Sequence, residues 1–298
     1  MTPVSDNTRG AFLMMASMAC FTFGDACMKV ASSTLPLSQL LALRGIFATA
    51  IIYLIARRLN ALRLDLPRRD WGLIALRAVA EVAAAWFFLT ALFNMPIANV
   101  TALLQMLPLT VTLASAVFFG EPVGWRRWTA ILIGFGGMLL IVRPGTEGFN
   151  AYSVYALIAV ICVTVRDLAT RRMSAVVPSL TVTLSASVAV LVFAAVLSLG
   201  ETWQPLDAPL WALVAAMSIF IIGGYLFSVL AMRTGEVSVV TPFRYTGLVW
   251  ALVLGWAIFG EWPLPLTFLG AGIIIATGVF TLLREARARR LQAKTVRM

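Results

Sequence analysis

The sequence of 298 residues is 61% hydrophobic and 12% charged, whereas soluble domains average roughly 25% charged residues. This apolar excess excludes an ordinary water-soluble domain and predicts burial in lipid. The formal net charge of +10 would suit a nucleic-acid partner in a soluble protein, but the basic residues follow the ends of apolar segments, so we expect none. Histidine is absent and the three cysteines lie inside apolar segments, so we expect no metal site and no cofactor.

Ten apolar segments follow one another, each suited to cross the ~30 Å hydrocarbon core as a helix. They are expected near residues 10–31, 37–57, 71–93, 96–119, 125–142, 151–172, 179–199, 210–232, 237–259 and 264–283. The predicted fold class is therefore an all-α membrane protein with ten transmembrane helices. The first segment carries Asp25 and Lys29 and lacks a convincing cleavage site, so we interpret it as a retained helix.

The positions of lysine and arginine predict the orientation of these spans. With the N-terminus inside, 17 of the 23 basic residues fall in cytoplasmic segments, Arg143 alone falls on the opposite side, and five lie within spans. Such a bias predicts that both termini are cytoplasmic. The basic tail from Arg284 onward is then an orientation anchor, and the alternative is a lipid-binding or regulatory segment.

Two shifts of the sequence against itself indicate an internal duplication. A shift of 142 residues places Cys20 on Cys162, Thr22 on Thr164, Asp25 on Asp167 and Lys29 on Arg171. A shift of 140 places Phe119-Gly120-Glu121 on Phe259-Gly260-Glu261. Because five spans per repeat is an odd number, the two copies would cross the membrane in opposite directions. We predict two inverted five-helix repeats, residues 1–145 and 146–298, the second ending in the basic cytoplasmic tail.

The two Phe-Gly-Glu triplets each end a span and precede a glycine-rich span. This pattern resembles the twice-repeated signature of the EamA type of the drug/metabolite transporter superfamily, and the resemblance covers essentially the whole chain. Gly24-Asp25, Leu43-Arg44-Gly45 and Arg126-Arg127-Trp128 are similar to the branch that holds riboflavin and S-adenosylmethionine uptake carriers and organic-anion relatives. The resemblance implies ten helices around a central cavity, no ATPase, and a location in the bacterial inner membrane.

Ionisable residues inside spans are a functional hypothesis by default, because each costs about 3 kcal/mol or more at the bilayer centre. Eight occur here: Asp25, Lys29, Arg44, Arg77, Glu81, Arg166, Asp167 and Arg244. At about 1.5 Å of rise per residue, the first three lie in the outer half of their spans and can meet. The other five can form an inner cluster.

Some of these charges fall into pairs four residues apart, which share a helix face. Asp25 with Lys29 is such a pair, and Asp167 with Arg171 repeats it in the second copy. Mirrored pairs suit a gate at each mouth of a carrier, and the alternative is a static link between helices. The predicted coupling or gating residues are Asp25, Lys29, Glu81, Arg166, Asp167 and Arg171.

The charges inside the spans sum to +2, which favours an anionic or zwitterionic ligand. Arg44 and Arg244 have no carboxylate one turn away, so we expect them to be the most available to a ligand. The predicted substrate-binding residues are Arg44, Arg77, Trp86, Gln105, Tyr225, Arg244 and Tyr245. The alternative is that the arginines bond backbone carbonyls and that the aromatic side chains pack or face lipid.

Together these features predict a secondary-active, alternating-access carrier of a small organic metabolite, and not an enzyme. A carrier of riboflavin or another neutral or cationic metabolite stays open as an alternative, and a channel is the alternative from another class. The expected partners are a small-molecule substrate and membrane lipids, with the protein as a monomer or a homodimer.

Overall fold

The computed structural model describes residues 6–63, 65–121, 123–144, 150–174, 176–234 and 237–295, and the regular structure in these ranges is helical throughout. The helices in chain order are α1 (Asp6–Ala31), α2 (Leu37–Arg58), α3 (Arg68–Asn94), α4 (Ile97–Leu104), α5 (Leu107–Phe119), α6 (Trp125–Val142), α7 (Tyr152–Arg172), α8 (Ser179–Leu197), α9 (Ala208–Thr234), α10 (Val237–Val240), α11 (Thr246–Phe259) and α12 (Pro265–Thr295). A 3₁₀ turn, Thr241–Tyr245, joins α10 to α11.

Ten stretches of the described residues are long and apolar enough to cross a membrane, which confirms the predicted number of spans. Two of them are interrupted helices: α4 with α5, and the 3₁₀ turn with α11. Pro108 and Pro242 lie at these interruptions, and proline has no N–H to continue the helical hydrogen-bond ladder.

The chain divides into two compact units. Unit 1 comprises Met1–Phe23, Met95–Val154 and Gly223–Met298, and unit 2 comprises Gly24–Asn94 and Tyr155–Ile222. Within unit 1, α6 packs against α12 and α4 against α11, and within unit 2, α2 and α3 both pack against α8. The boundary predicted between the repeats, at 145/146, lies outside the described residues.

The Phe-Gly-Glu triplets end α5 and α11. Gly120 and Gly260 have φ of 64° and 62°, in the left-handed region that favours glycine, so each stops its helix. Glu261 then accepts a hydrogen bond through Oε2 from the Ile97 backbone N–H, at 3.0 Å. First-turn N–H groups have no partner inside their own helix, so the second triplet ends α11 and also caps the start of α4.

Two side chains in unit 2 secure irregular segments by matching pairs of hydrogen bonds. Gln39, in the first turn of α2, donates from Nε2 to the Gln204 carbonyl at 2.8 Å and accepts from the Gln204 N–H at 3.0 Å. Thr181, in the first turn of α8, donates to the Ala61 carbonyl and accepts from the Arg63 N–H, both at 3.2 Å. Both side chains are buried. They satisfy backbone groups that would otherwise lack partners outside regular helix.

A third link in unit 2 joins the start of α3 to the segment after α7. Asp70 is buried, and its carboxylate accepts the Ser174 hydroxyl at 2.7 Å and the Ser174 N–H at 3.2 Å. A small apolar cluster of Leu66, Ile74 and Val182 forms in the same unit. The two ends of unit 2 are therefore ordered by buried polar contacts as well as by helix packing.

We expect Thr181→Val to lower the melting temperature in detergent. The substitution keeps the side-chain shape but leaves the Ala61 carbonyl and the Arg63 N–H without their partner, at about 1–3 kcal/mol. The expected shift is roughly 2–6 °C, measured by thermal denaturation of purified protein. Thr183→Val is the matched control, because the Thr183 hydroxyl is exposed and bonds only within α8, to the Ser179 carbonyl. Equal melting temperatures for the two variants would show that the Thr181 contacts contribute nothing.

Candidate functional site

Helices α3 and α7 bring four charged side chains together in unit 2. Arg166 Nη1 lies 3.3 Å from Glu81 Oε1, and Arg166 Nε lies 2.9 Å from Asp167 Oδ1. Arg77 Nη2 lies 3.6 Å from Glu81 Oε2. We call Arg77, Glu81, Arg166 and Asp167 the ion cluster. It contains four of the five residues that we expected to form an inner cluster from their positions along the spans. The fifth, Arg244, lies in unit 1.

Arg166 is the centre of the ion cluster. Its guanidinium contacts both carboxylates, and Nη1 reaches both oxygens of Glu81, at 3.3 and 3.4 Å. Glu81 also pairs with Arg77, one turn away on α3, but at 3.6 Å this contact is longer than those to Arg166 on α7.

Arg77 is held mainly by a neutral hydroxyl. Its Nε donates to Thr170 Oγ1 at 3.1 Å, and the Thr170 hydroxyl in turn donates to the Arg166 carbonyl at 2.8 Å. Arg77 Nη1 is buried and has no hydrogen-bond partner among the described residues. Part of the donor capacity of this guanidinium is therefore unused.

The ion cluster is partly open. The exposed fraction of the side chain is 16% for Arg77, 20% for Glu81, 24% for Arg166 and 40% for Asp167. Ionised groups that faced lipid tails would each cost about 3 kcal/mol or more. The exposure therefore indicates that water reaches the ion cluster.

A second group of predicted residues lies on α1 and α2 in unit 2. Arg44 Nη1 contacts the Met28 sulfur at 3.2 Å, and its charge acts on the Asp25 carboxylate. Asp167 forms an ion pair with Arg166, its neighbour in the chain. The mirrored pairs expected from the spacing, Asp25 with Lys29 and Asp167 with Arg171, stay predictions. A gating role for these residues stays a prediction.

The predicted aromatic and amide residues are spread over both units. Trp86 on α3 meets Phe193 edge to face, with ring centroids 5.8 Å apart, inside unit 2. Tyr225 on α9 meets Phe21 in the same way at 5.3 Å, inside unit 1. Gln105 lies at the interruption between α4 and α5, and its Nε2 borders Gly247 of α11. Such aromatic pairs stabilise helix packing whether or not a ligand is present.

Tyr245 and Arg244 end the 3₁₀ turn in unit 1. Arg244 is exposed, whereas Tyr245 is buried. The Tyr245 hydroxyl has no hydrogen-bond partner among the described residues. It packs so closely on Gly278 of α12 that any side chain at Gly278 would overlap it.

One open cavity lies away from these residues. It has a volume of about 370 Å³ and forms between the α1–α2 connection and the segment before α9. It is lined by Ser32, Ser33, Thr34, Leu35, Pro36, Glu201, Thr202 and Gln204. The sequence-predicted site residues do not line it.

Comparison with known proteins assigns the class of this fold. A solved crystal structure that is 20% identical matches with a TM-score of 0.64 over 95% of this chain and 98% of its own, so the fold is shared. The EamA-like transporter family matches residues 8–143 and 151–283. The chain therefore belongs to the EamA-like transporter family, which confirms the resemblance carried by the Phe-Gly-Glu triplets.

Curated relatives are transporters of metabolites. The pseudopaline exporter CntI of Pseudomonas aeruginosa is 27% identical over 92% of this chain and 96% of its own length. The riboflavin transporter of Vibrio cholerae is 25% identical over 95% of each chain. The S-adenosylmethionine uptake transporter of Rickettsia bellii is 27% identical over 65% of this chain and 66% of its own. The protein is a multi-pass transporter of the bacterial inner membrane, and these names indicate transport rather than catalysis.

We expect Tyr245→Phe to leave the melting temperature unchanged or to raise it. A buried hydroxyl without a partner carries a desolvation cost of about 1–3 kcal/mol, which phenylalanine removes. Thermal denaturation in detergent measures this, with Tyr53→Phe as the control because Tyr53 is exposed. A fall of several degrees in the Tyr245 variant alone would show that the hydroxyl has a stabilising partner. Lower substrate affinity at an unchanged melting temperature would support the predicted binding role.

Proposed function

We propose that this protein is a secondary-active carrier that moves a small organic anion or zwitterion by alternating access. The ion cluster carries this proposal. It places two arginines and two carboxylates within two spans, and the exposure of these side chains indicates contact with water. A transport pathway is the usual reason for a protein to keep such charges inside the membrane.

Matching contacts in the two halves support the inverted repeat. Gln39 and Thr181 correspond under the 142-residue shift, and each bonds both an N–H and a carbonyl of an irregular segment. Those segments correspond under the 140-residue shift, which places Ala61 on Glu201 and Arg63 on Trp203. The packing of α2 on α8 and of α6 on α12 likewise pairs corresponding spans. Carriers with inverted repeats exchange the conformations of their halves.

The ion cluster is suited to change during that exchange. Glu81 is on α3 in the first predicted repeat, and its bonding partner Arg166 is on α7 in the second. A contact of this kind can form in one access state and break in the other. Asp25, Lys29, Asp167 and Arg171 complete the set of proposed coupling or gating residues.

The substrate class rests on charge. Five basic and three acidic residues lie inside the spans, so an acidic group on the substrate would be stabilised. The relatives named for riboflavin and S-adenosylmethionine favour a second candidate, a carrier of a neutral or cationic metabolite. A channel is disfavoured, because a channel needs no pair of exchanging halves.

Counterflow in proteoliposomes tests the carrier proposal. Vesicles loaded with a high concentration of unlabelled substrate should transiently accumulate labelled substrate, because a carrier exchanges the two across the membrane and a channel only dissipates their gradients. A metabolite library, including riboflavin and S-adenosylmethionine, supplies the candidates, and vesicles without protein are the control. Equilibration without overshoot for every transported compound would contradict a carrier.

The proposed orientation is tested with fused reporters. Alkaline phosphatase fused after Met298, or after Arg58 in a truncated chain, should be inactive because both places are cytoplasmic under the positive-inside rule. The same reporter fused after Leu199, which follows α8, should be active in the periplasm. The reverse pattern would overturn the assignment of both termini to the cytoplasm.

A further inference from the structure

We propose that Arg77 is the group that binds the acidic part of the substrate, and that the substrate displaces Glu81 from it. This inference deepens the proposed function, because it names a residue, a ligand chemistry and an exchange of partners within the ion cluster. It differs from the expectation based on chain spacing, which favoured Arg44 and Arg244 over Arg77.

Arg77 has hydrogen-bond donors that are not used within the described residues. A guanidinium carries five N–H groups, one on Nε and two on each Nη atom. The Nε group bonds Thr170 Oγ1 at 3.1 Å. Nη2 lies 3.6 Å from Glu81 Oε2, beyond hydrogen-bond length, and Nη1 has no partner among the described residues. The flat edge formed by Nη1 and Nη2 matches the two oxygens of a carboxylate or phosphate.

Glu81 has a second cationic partner besides Arg77. Arg166 Nη1 contacts both of its oxygens, at 3.3 and 3.4 Å, so Glu81 keeps a cationic partner when it leaves Arg77. Displacement then breaks only the longest contact in the ion cluster. Because Glu81 is negative and adjacent, it also competes with an incoming anion for Arg77.

Thr170 is a positioning residue in this arrangement. Its hydroxyl accepts from Arg77 Nε and donates to the Arg166 carbonyl, so it fixes the plane of the Arg77 guanidinium against α7. Because Thr170 bonds the Arg77 guanidinium through Nε, the edge formed by Nη1 and Nη2 is turned away from Thr170. That edge is the one with the unused donors.

The test is equilibrium binding to purified protein in detergent at constant low ionic strength, by calorimetry. The probes are succinate, citrate, L-glutamate and glucose 6-phosphate, with riboflavin and S-adenosylmethionine as neutral and cationic comparators. At least one acid should bind the wild-type protein. Arg77→Gln should weaken its binding by about tenfold or more, because the charged partner of the acid is removed. Glu81→Gln should strengthen it severalfold, because a competing carboxylate is lost.

Further variants separate binding from structure. Arg77→Lys keeps the charge without the flat edge and should restore binding only in part, and Thr170→Val should weaken binding at an unchanged melting temperature. Arg126→Gln makes the same charge change at an exposed residue stacked on Trp125, and should leave affinity within twofold. A static ion pair predicts the opposite for Glu81→Gln, namely that both affinity and melting temperature fall.

The outcomes distinguish this inference from the carrier proposal. Binding of none of the four acids, or binding of an acid that Arg77→Gln does not alter, overturns the role of Arg77. If riboflavin or S-adenosylmethionine shows counterflow and binds independently of Arg77, the carrier proposal stands and the inference is wrong. If no compound shows counterflow but an acid binds through Arg77, the inference stands and the carrier proposal fails.

Discussion

The bond between Arg166 and Glu81 is the interaction on which the interior of unit 2 depends. Without Arg166, Asp167 would lose its ion pair and Glu81 would keep only the longer contact to Arg77. With Arg166, each carboxylate has a cationic partner, and Arg77 needs only a hydroxyl to hold it. The ion cluster is close to neutral as a whole, which lets it persist inside a membrane, and yet it retains donors that a ligand can use.

The same requirement for partners acts on the backbone. Lipid offers no hydrogen bonds, so irregular segments near the spans must be satisfied from within the protein. Gln39, Thr181 and Glu261 each do this for a segment far away in the sequence. Side-chain caps and the ion cluster thus do the same thing for dipoles and for charges: each gives a polar group a partner within the protein.

Much of this architecture follows from the sequence. The lengths of the apolar segments predicted ten spans, and the repeated Phe-Gly-Glu triplet indicated the family. Both signals can be read directly because each consists of residues that are neighbours in the chain. Depth along each helix also predicted that residues from α3 and α7 could meet. The contact between Glu81 and Arg166 could not be predicted from spacing, because spacing reports only neighbours on the same helix and Arg166 reaches Glu81 from another one. Thr170 gave no signal, because a threonine one turn after an arginine is common in any helix.

The cap that Glu261 places on α4 is a hydrogen-bonded link between the first and the second half of the chain. Glu261 with Ile97, Gln39 with Gln204, and Thr181 with Ala61 each join the first half of the chain to the second. A fragment that carried one half alone would therefore leave these groups without their hydrogen-bond partners. Synthesis as one chain guarantees that each group is made together with its complement.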